Sequence, residues 1–153
     1  MRRIITMHQI RDWLYVASYR ETQDLAKLNE KNIGAVLHLQ QLVEQEGIDT
    51  FYIPIQEGIP LTKNQIATGL NFIREHHAQG KAIVVACGAG ISRSVIFAIG
   101  ALKMIEGTSL SKAFSDIRKV HERAMPDELH WQNMCNYFGE HIDFWEMWRT
   151  IEL

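Results

Sequence analysis

The stretch VVACGAGISRS, residues 84–94, decides the fold. Val84, Val85 and Ala86 close an apolar run suited to a buried strand. Cys87 ends that run, and Gly88, Ala89, Gly90, Ile91 and Ser92 form a short loop before Arg93 and Ser94 open an apolar helical stretch. A strand, loop and helix in this order make an anion site. Glycines let the backbone approach a ligand closely, successive N–H groups turn inward around a tetrahedral anion, and the helix N-terminus adds partial positive charge. Arg93 brings a planar fork that grips two oxygens at once. The same field favours the thiolate of Cys87, the form of sulfur that attacks phosphorus, and Ser94 is placed to hydrogen-bond that sulfur. The expected phosphate-binding set is therefore Gly88, Ala89, Gly90, Ile91, Ser92 and Arg93.

Other readings of a glycine-bearing loop fail on particular residues. A dinucleotide fingerprint needs glycine where Arg93 stands, and a nucleoside-triphosphate loop needs Gly-Lys followed by Ser or Thr, which the chain lacks. Cys87 and Cys135 are far apart and without the paired spacing of a zinc site; His76 and His77 adjoin a helix end with no third ligand at metal spacing. No metal and no cofactor is expected. A solitary cysteine at a strand end is most often a small buried residue, and it is the arginine at the correct distance that turns Cys87 into a candidate nucleophile.

Composition narrows the class further. The 153 residues are 46% hydrophobic and 22% charged, ordinary for one globular core, and the formal net charge of −2 argues against a nucleic-acid footprint or a polybasic membrane anchor. The opening MRRIITMHQIRDW lacks the apolar core of a secretory signal, and no stretch has the length of a membrane span, so the expectation is a cytoplasmic protein without membrane contact. A reducing compartment suits a catalytic thiolate.

No repeat or linker divides the chain, so residues 1–153 read as a single domain. β-rich runs at 13–17, 35–39, 51–55 and 82–86 alternate with helical patterns at 21–32, 63–79 and 93–106. Two more helices follow, one marked by Leu110, Phe114, Ile117 and His121, the other starting near Pro126 and Asp127 with Trp131, Met134, Cys135 and Phe138 inward. Strands alternating with helices imply crossovers. The expected fold is α/β, a central mostly parallel sheet of four or five strands flanked by helices. In the tail, Phe144, Trp145, Trp148 and Ile151 recur at helical spacing and are expected to pack on the body. His38, inside a strand, reads as a hydrogen-bonded core histidine.

Cys87, five residues, Arg93 and Ser94 after an apolar strand resemble the signature loop of cysteine-dependent protein tyrosine phosphatases, and the compact dual-specificity branch fits best. WLYVAS at 13–18 and IGAVLHL at 33–39 look like early strands of that family, and MPDELHWQNM at 125–134 like its proline-led turn and closing helix. The resemblance implies a phosphomonoesterase with a cysteinyl-phosphate intermediate: Cys87 attacks, Arg93 and the loop amides hold the phosphoryl oxygens, and Ser94 eases departure of sulfur. Its substrate would be a phosphorylated protein, phosphotyrosine first and phosphoserine or phosphothreonine also, or a small phosphomonoester.

The family's general acid is an aspartate on a loop after the strand that precedes the helix leading to the nucleophile strand. Aligning YIPIQEGIPLTKNQI with that segment puts Glu57 at its position, with Glu44, Glu46 and Asp49 upstream as weaker candidates. Glutamate preserves the chemistry but adds a methylene and a rotamer. A second departure is Ala86, where the family usually has a histidine that helps order the loop. Reduced activity is the expectation, and a phosphoresidue-binding module without useful turnover is the alternative. Sulfur transfer and arsenate reduction, which also place cysteine at an anion loop, stay open. The loop carries no lysine, which implies that one phosphate is read.

Overall fold

A computed structural model describes residues 7–152. Two short strands open it, β1 (His8–Arg11) and β2 (Leu14–Ser18), followed by helix α1 (Leu25–Glu30) and strands β3 (Ile33–His38) and β4 (Asp49–Tyr52). Helix α2 (Lys63–Ala78) leads to β5 (Ala82–Cys87), and four helices complete the chain: α3 (Arg93–Glu106), α4 (Leu110–Val120), α5 (Glu128–Phe138) and α6 (Phe144–Glu152).

The strands form one sheet in the order β1-β2-β5-β3-β4. β2, β5, β3 and β4 run parallel, and β1 pairs antiparallel with β2. β5 lies at the centre and every residue of it is buried, as expected of a parallel strand covered on both faces. Alternation along the strands divides the core. Val16, Leu37, Ile83, Val85 and Cys87 face a thick layer with α2 to α6, whereas Tyr15, Ala17, Val36, Val84 and Ala86 face a thin layer that includes Leu28 of α1.

Helix α3 is buried on all sides from Ser94 to Leu102, in keeping with its nearly continuous apolar sequence. Gly69 of α2 permits its approach: a Cβ there would stand 2.5 Å from the Phe97 ring. Thr62 starts α2 with a reciprocal capping box to Gln65. Arg11 fastens the edge strand to the helical layer, bonding Glu106 of α3 at 2.9 and 3.0 Å and Asp116 of α4 at 2.7 Å. Among the described residues, no helix is long and apolar enough to cross a membrane.

Several expected boundaries move. β1 has no alternating apolar pattern and is held by pairing with β2 and by Arg11, so sequence periodicity missed it. The expected helix over 21–32 is broken: residues Glu21–Gln23 make a 3₁₀ turn, and Asp24 then caps α1 by accepting the Lys27 N–H at 3.1 Å. β4 begins earlier than 51 and ends at Tyr52, although the N–H groups of Ile53 and Ile55 still bond the carbonyls of His38 and Leu39. His121 is not the last inward residue of α4 but its C-terminal cap, turned out of the helix at φ −142°, ψ 83°. In α6 the buried residues are Phe144 and Met147, with Trp148 and Ile151 partly covered and Trp145 46% exposed.

Candidate active site

The site forms at the C-terminal ends of the parallel strands, the usual ligand edge of such a sheet. β5 delivers Cys87 there with 2% exposure. The Gly90 N–H points at Cys87 Sγ from 3.3 Å, and Ser94 Oγ lies 3.2 Å from the same sulfur. Ser94 stands in the first turn of α3, so the helix N-terminus is also directed at the loop.

The loop holds its shape because its carbonyls are taken from outside. Tyr19 N–H donates to Cys87 O at 2.8 Å, Met125 N–H to Ile91 O at 2.9 Å, Arg20 Nη1 to Gly88 O at 3.5 Å and His121 Nε2 to Gly90 O at 2.7 Å. In a trans peptide the N–H points opposite to the C=O, so tying the carbonyls outward turns the partner amides toward the interior of the loop. Gly90 is required for this path. Its φ is +72°, and a Cβ would stand 2.8 Å from the Ala17 carbonyl carbon.

Arg93 reaches across the bowl. Nη1 donates to Ile55 O at 2.9 Å and Nη2 to Gln40 Oε1 at 2.5 Å. Nε faces Glu57 Oε1 at 3.4 Å and is buried without a hydrogen-bond partner. The guanidinium overlies the loop: Nη2 is 3.0 Å from where a Cβ on Gly88 would be, and Gln40 Oε1 is only 2.1 Å from that point. Gln40 thus lies directly over Gly88, on the edge of Arg93 that a phosphate would use.

A second group of side chains borders the loop. Ser92 Oγ donates to Glu57 Oε2 at 3.3 Å and accepts the Asp127 N–H at 3.0 Å. Asp127 caps α5, its Oδ1 accepting the Leu129 N–H at 2.7 Å, while its Oδ2 accepts the Gly58 N–H at 2.9 Å. Burial raises the Asp127 carboxyl, but the Gly58 and Leu129 amides, with His130 and Glu57 nearby, outweigh it and hold the group below the usual carboxylate range. Glu57, Asp127 and the fully buried His130 bring one donor atom each within 4.8 Å of one another. Asp127's oxygens already accept amides and His130 Nε2 bonds the Ile59 carbonyl at 2.8 Å, so the set reads as a hydrogen-bonding cluster.

The residues expected from sequence are thus assembled around one bowl: Cys87, the loop from Gly88, Ala89, Gly90, Ile91 to Ser92, then Arg93 and Ser94, with Glu57 at the rim and its side chain 48% exposed. The weaker acid candidate Asp49 is instead paired with Lys81 at 2.8 Å and His76 at 3.0 Å. His38 is fully buried, bonded to Val43 O at 3.1 Å, and Cys135 is buried with its thiol pushed up by burial. Ala86 is buried on the thin-layer face. The contacts by which Gln40, His121 and Asp127 meet the loop and Arg93 had no signal in the sequence, because each joins segments distant in the chain.

The family model for the dual specificity phosphatase catalytic domain matches residues 14–140. Dual specificity protein phosphatase 22 of Xenopus tropicalis is 26% identical over 142 residues, covering 88% of this chain and 66% of that protein; the Mus musculus protein of the same name is 26% identical, covering 88% and 74%. The chain therefore spans about two thirds to three quarters of these relatives. The crystal structure of DUSP15 superposes with a TM-score of 0.80 at 21% identity, covering 95% of this chain and 94% of that one. A mouse putative dual specificity phosphatase complexed with zinc tungstate gives 0.82 at 16% identity, covering 99% and 94%. With its mostly parallel five-stranded sheet and a family match reaching from β2 through α5, the chain belongs to the dual specificity phosphatase catalytic-domain family.

Proposed function

We propose that the chain hydrolyses phosphate monoesters through a cysteinyl-phosphate intermediate, acting first on phosphotyrosine and also on phosphoserine and phosphothreonine in proteins. The observation that supports this reading is the Gly90 N–H aimed at Cys87 Sγ within a loop whose Cys87, Gly88, Gly90 and Ile91 carbonyls are engaged from outside, beneath an arginine whose buried Nε makes no hydrogen bond and faces only the Glu57 carboxylate. Preorganised donors around a developing anion are a large source of rate enhancement.

In this mechanism the entering phosphate takes the Nε and Nη2 edge of Arg93 from Glu57 and Gln40. The Cys87 thiolate attacks phosphorus in line, the S–P bond forms and the P–O bond to the leaving group breaks. Glu57, carrying a proton, gives it to the departing oxygen. Water then attacks phosphorus, Glu57 takes a proton from it, and the S–P bond breaks with Ser94 O–H stabilising the returning thiolate. The loop's neutral side chains suit a single phosphate. Exposed Ile59 and Met125 flank Glu57 and the loop, and offer apolar surface to an aryl ring.

Hydrolysis of an aryl phosphate by the chain and by Cys87→Ser tests the proposal, with vanadate as competitor. Turnover in the parent, loss in the variant and competition by vanadate are expected. Equal turnover in both would refute the nucleophile, and vanadate binding with no turnover in the parent would favour the phosphoresidue-binding alternative.

A further inference from the structure

Two carboxyl groups border the bowl, in unlike surroundings. Asp127 is fixed: it caps α5, both oxygens accept backbone N–H groups, and one of those amides, Gly58 N–H, belongs to the residue after Glu57. Glu57 is on an exposed loop and meets side chains, Ser92 at 3.3 Å and Arg93 at 3.4 Å. Ser92 closes the circuit, since its Oγ accepts the Asp127 N–H while its hydroxyl donates to Glu57. Asp127 therefore grips the Glu57 loop twice, through Gly58 and through Ser92, and sets a carboxylate within 4.8 Å of the Glu57 carboxyl.

Resting on the reading of Glu57 as general acid, we propose that Asp127 is the positioning residue for that acid: it anchors the Glu57 loop, and its fixed negative charge keeps the proton on Glu57 until the leaving oxygen takes it. Two carboxylates this close resist simultaneous ionisation. The backbone amides on Asp127 decide which one carries the charge, and its lowered carboxyl agrees with that division. The other ionisable groups facing the pair act in known directions. Arg93 from α3 lies on the Glu57 side and His130 from α5 on the Asp127 side, while the Cys87 thiolate at the floor adds negative charge that again favours a protonated Glu57. After the first step the thiolate is esterified, and Glu57 has become the base.

Asp127→Asn is a suitable test, because asparagine caps a helix as well as aspartate while it removes the charge and, with an NH2 group in place of Oδ2, the bond accepted from the Gly58 N–H. We compare it with Glu57→Gln by measuring kcat/KM against pH for phenyl phosphate, a poor leaving group, and 4-nitrophenyl phosphate, a good one. The alkaline limb of Asp127→Asn is expected to move to lower pH by about half a unit or more, with phenyl phosphate slowed about five-fold or more beyond any effect on the nitrophenyl ester. An unmoved limb, or equal slowing of both esters, in a variant whose partner Glu57→Gln still discriminates between them would overturn the inference alone. If Glu57→Gln slows both esters equally, the general-acid reading itself is lost. Carbon-13 carboxyl titration of Cys87→Ser protein gives a measurement free of any change at Asp127: the Asp127 signal should lose its proton first and perturb the Glu57 signal as it does, whereas independent titrations would count against coupling.

Discussion

His121 holds up Gly90 from beneath the loop between Cys87 and Arg93: its Nε2 donates to the Gly90 carbonyl at 2.7 Å, both partners buried, across 31 positions of sequence. The ring stacks on His8 with centroids 3.7 Å apart and planes 7° from parallel, so its orientation is fixed on one face as well as at its tip. The same peptide plane carries the Ile91 N–H, which this bond turns toward the bowl. Where the resemblance leads to the expectation of a histidine the chain has Ala86, and His121 at the end of α4 is a histidine that bonds this loop.

Removing that support should weaken both fold and site. His121→Ala leaves a buried carbonyl unpaired, a loss of about 1–3 kcal/mol, to be read by denaturant unfolding. It should also raise KM for an aryl phosphate. His121→Gln keeps an N–H at similar reach and is expected to restore most of both; an Ala variant with unchanged KM would show that the loop stands without it.

Acid should destabilise the protein earlier than its carboxylates alone would. His38 and His121 are both held below their ordinary value of 6.5, chiefly by burial, which outweighs the carbonyls of Val43 and Gly90 that each ring bonds. Unfolded, both rings take up a proton near 6.5, so the unfolded state binds more protons just below that pH. Stability is complete above 6.5 and falls as pH drops toward the folded values, at no more than about 1.4 kcal/mol per pH unit for each ring. Glu21, pushed up from 4.5 by burial, acts in the opposite sense from that pH upward. His121→Gln does not titrate and should flatten the decline between pH 6.5 and 5.5 in thermal unfolding; an equally steep decline would remove His121 from it.

The two loop glycines should differ sharply. At Gly90 an added Cβ meets backbone of Ala17 at 2.8 Å with φ at +72°, so Gly90→Ala is expected to cost about 2 kcal/mol or more and to abolish turnover. At Gly88 the obstacle is Gln40 Oε1, the far end of a flexible side chain. Gly88→Ala should therefore change the unfolding free energy by less than about 1 kcal/mol. Equal losses would mean that Gln40 cannot swing aside.

Arg93→Lys keeps a positive charge but loses the fork that bonds Ile55 O and Gln40 while leaving Nε for a ligand. A drop in kcat/KM of about 100-fold or more is expected with an aryl phosphate. A near-normal rate would show that charge alone suffices.

The sequence by itself determined the loop from Cys87 to Ser94 between strand and helix, because its cysteine, arginine, serine and two glycines lie within eight positions and their arrangement depends on backbone path over that short span. It also determined the central layers, since β5 is apolar throughout, α3 is apolar from Val95 to Leu102, and β2 and β3 are nearly so. What only the tertiary structure decided is what surrounds that loop. β1 exists through pairing and through Arg11, the break before α1 through the Asp24 cap, and the supports from Gln40, Asp127 and His121 through contacts between segments far apart in the chain. Periodicity and spacing encode which residues share a face; they do not encode which distant polar atoms meet, because hydrogen bonds act over about 3 Å and depend on packing that the whole chain fixes.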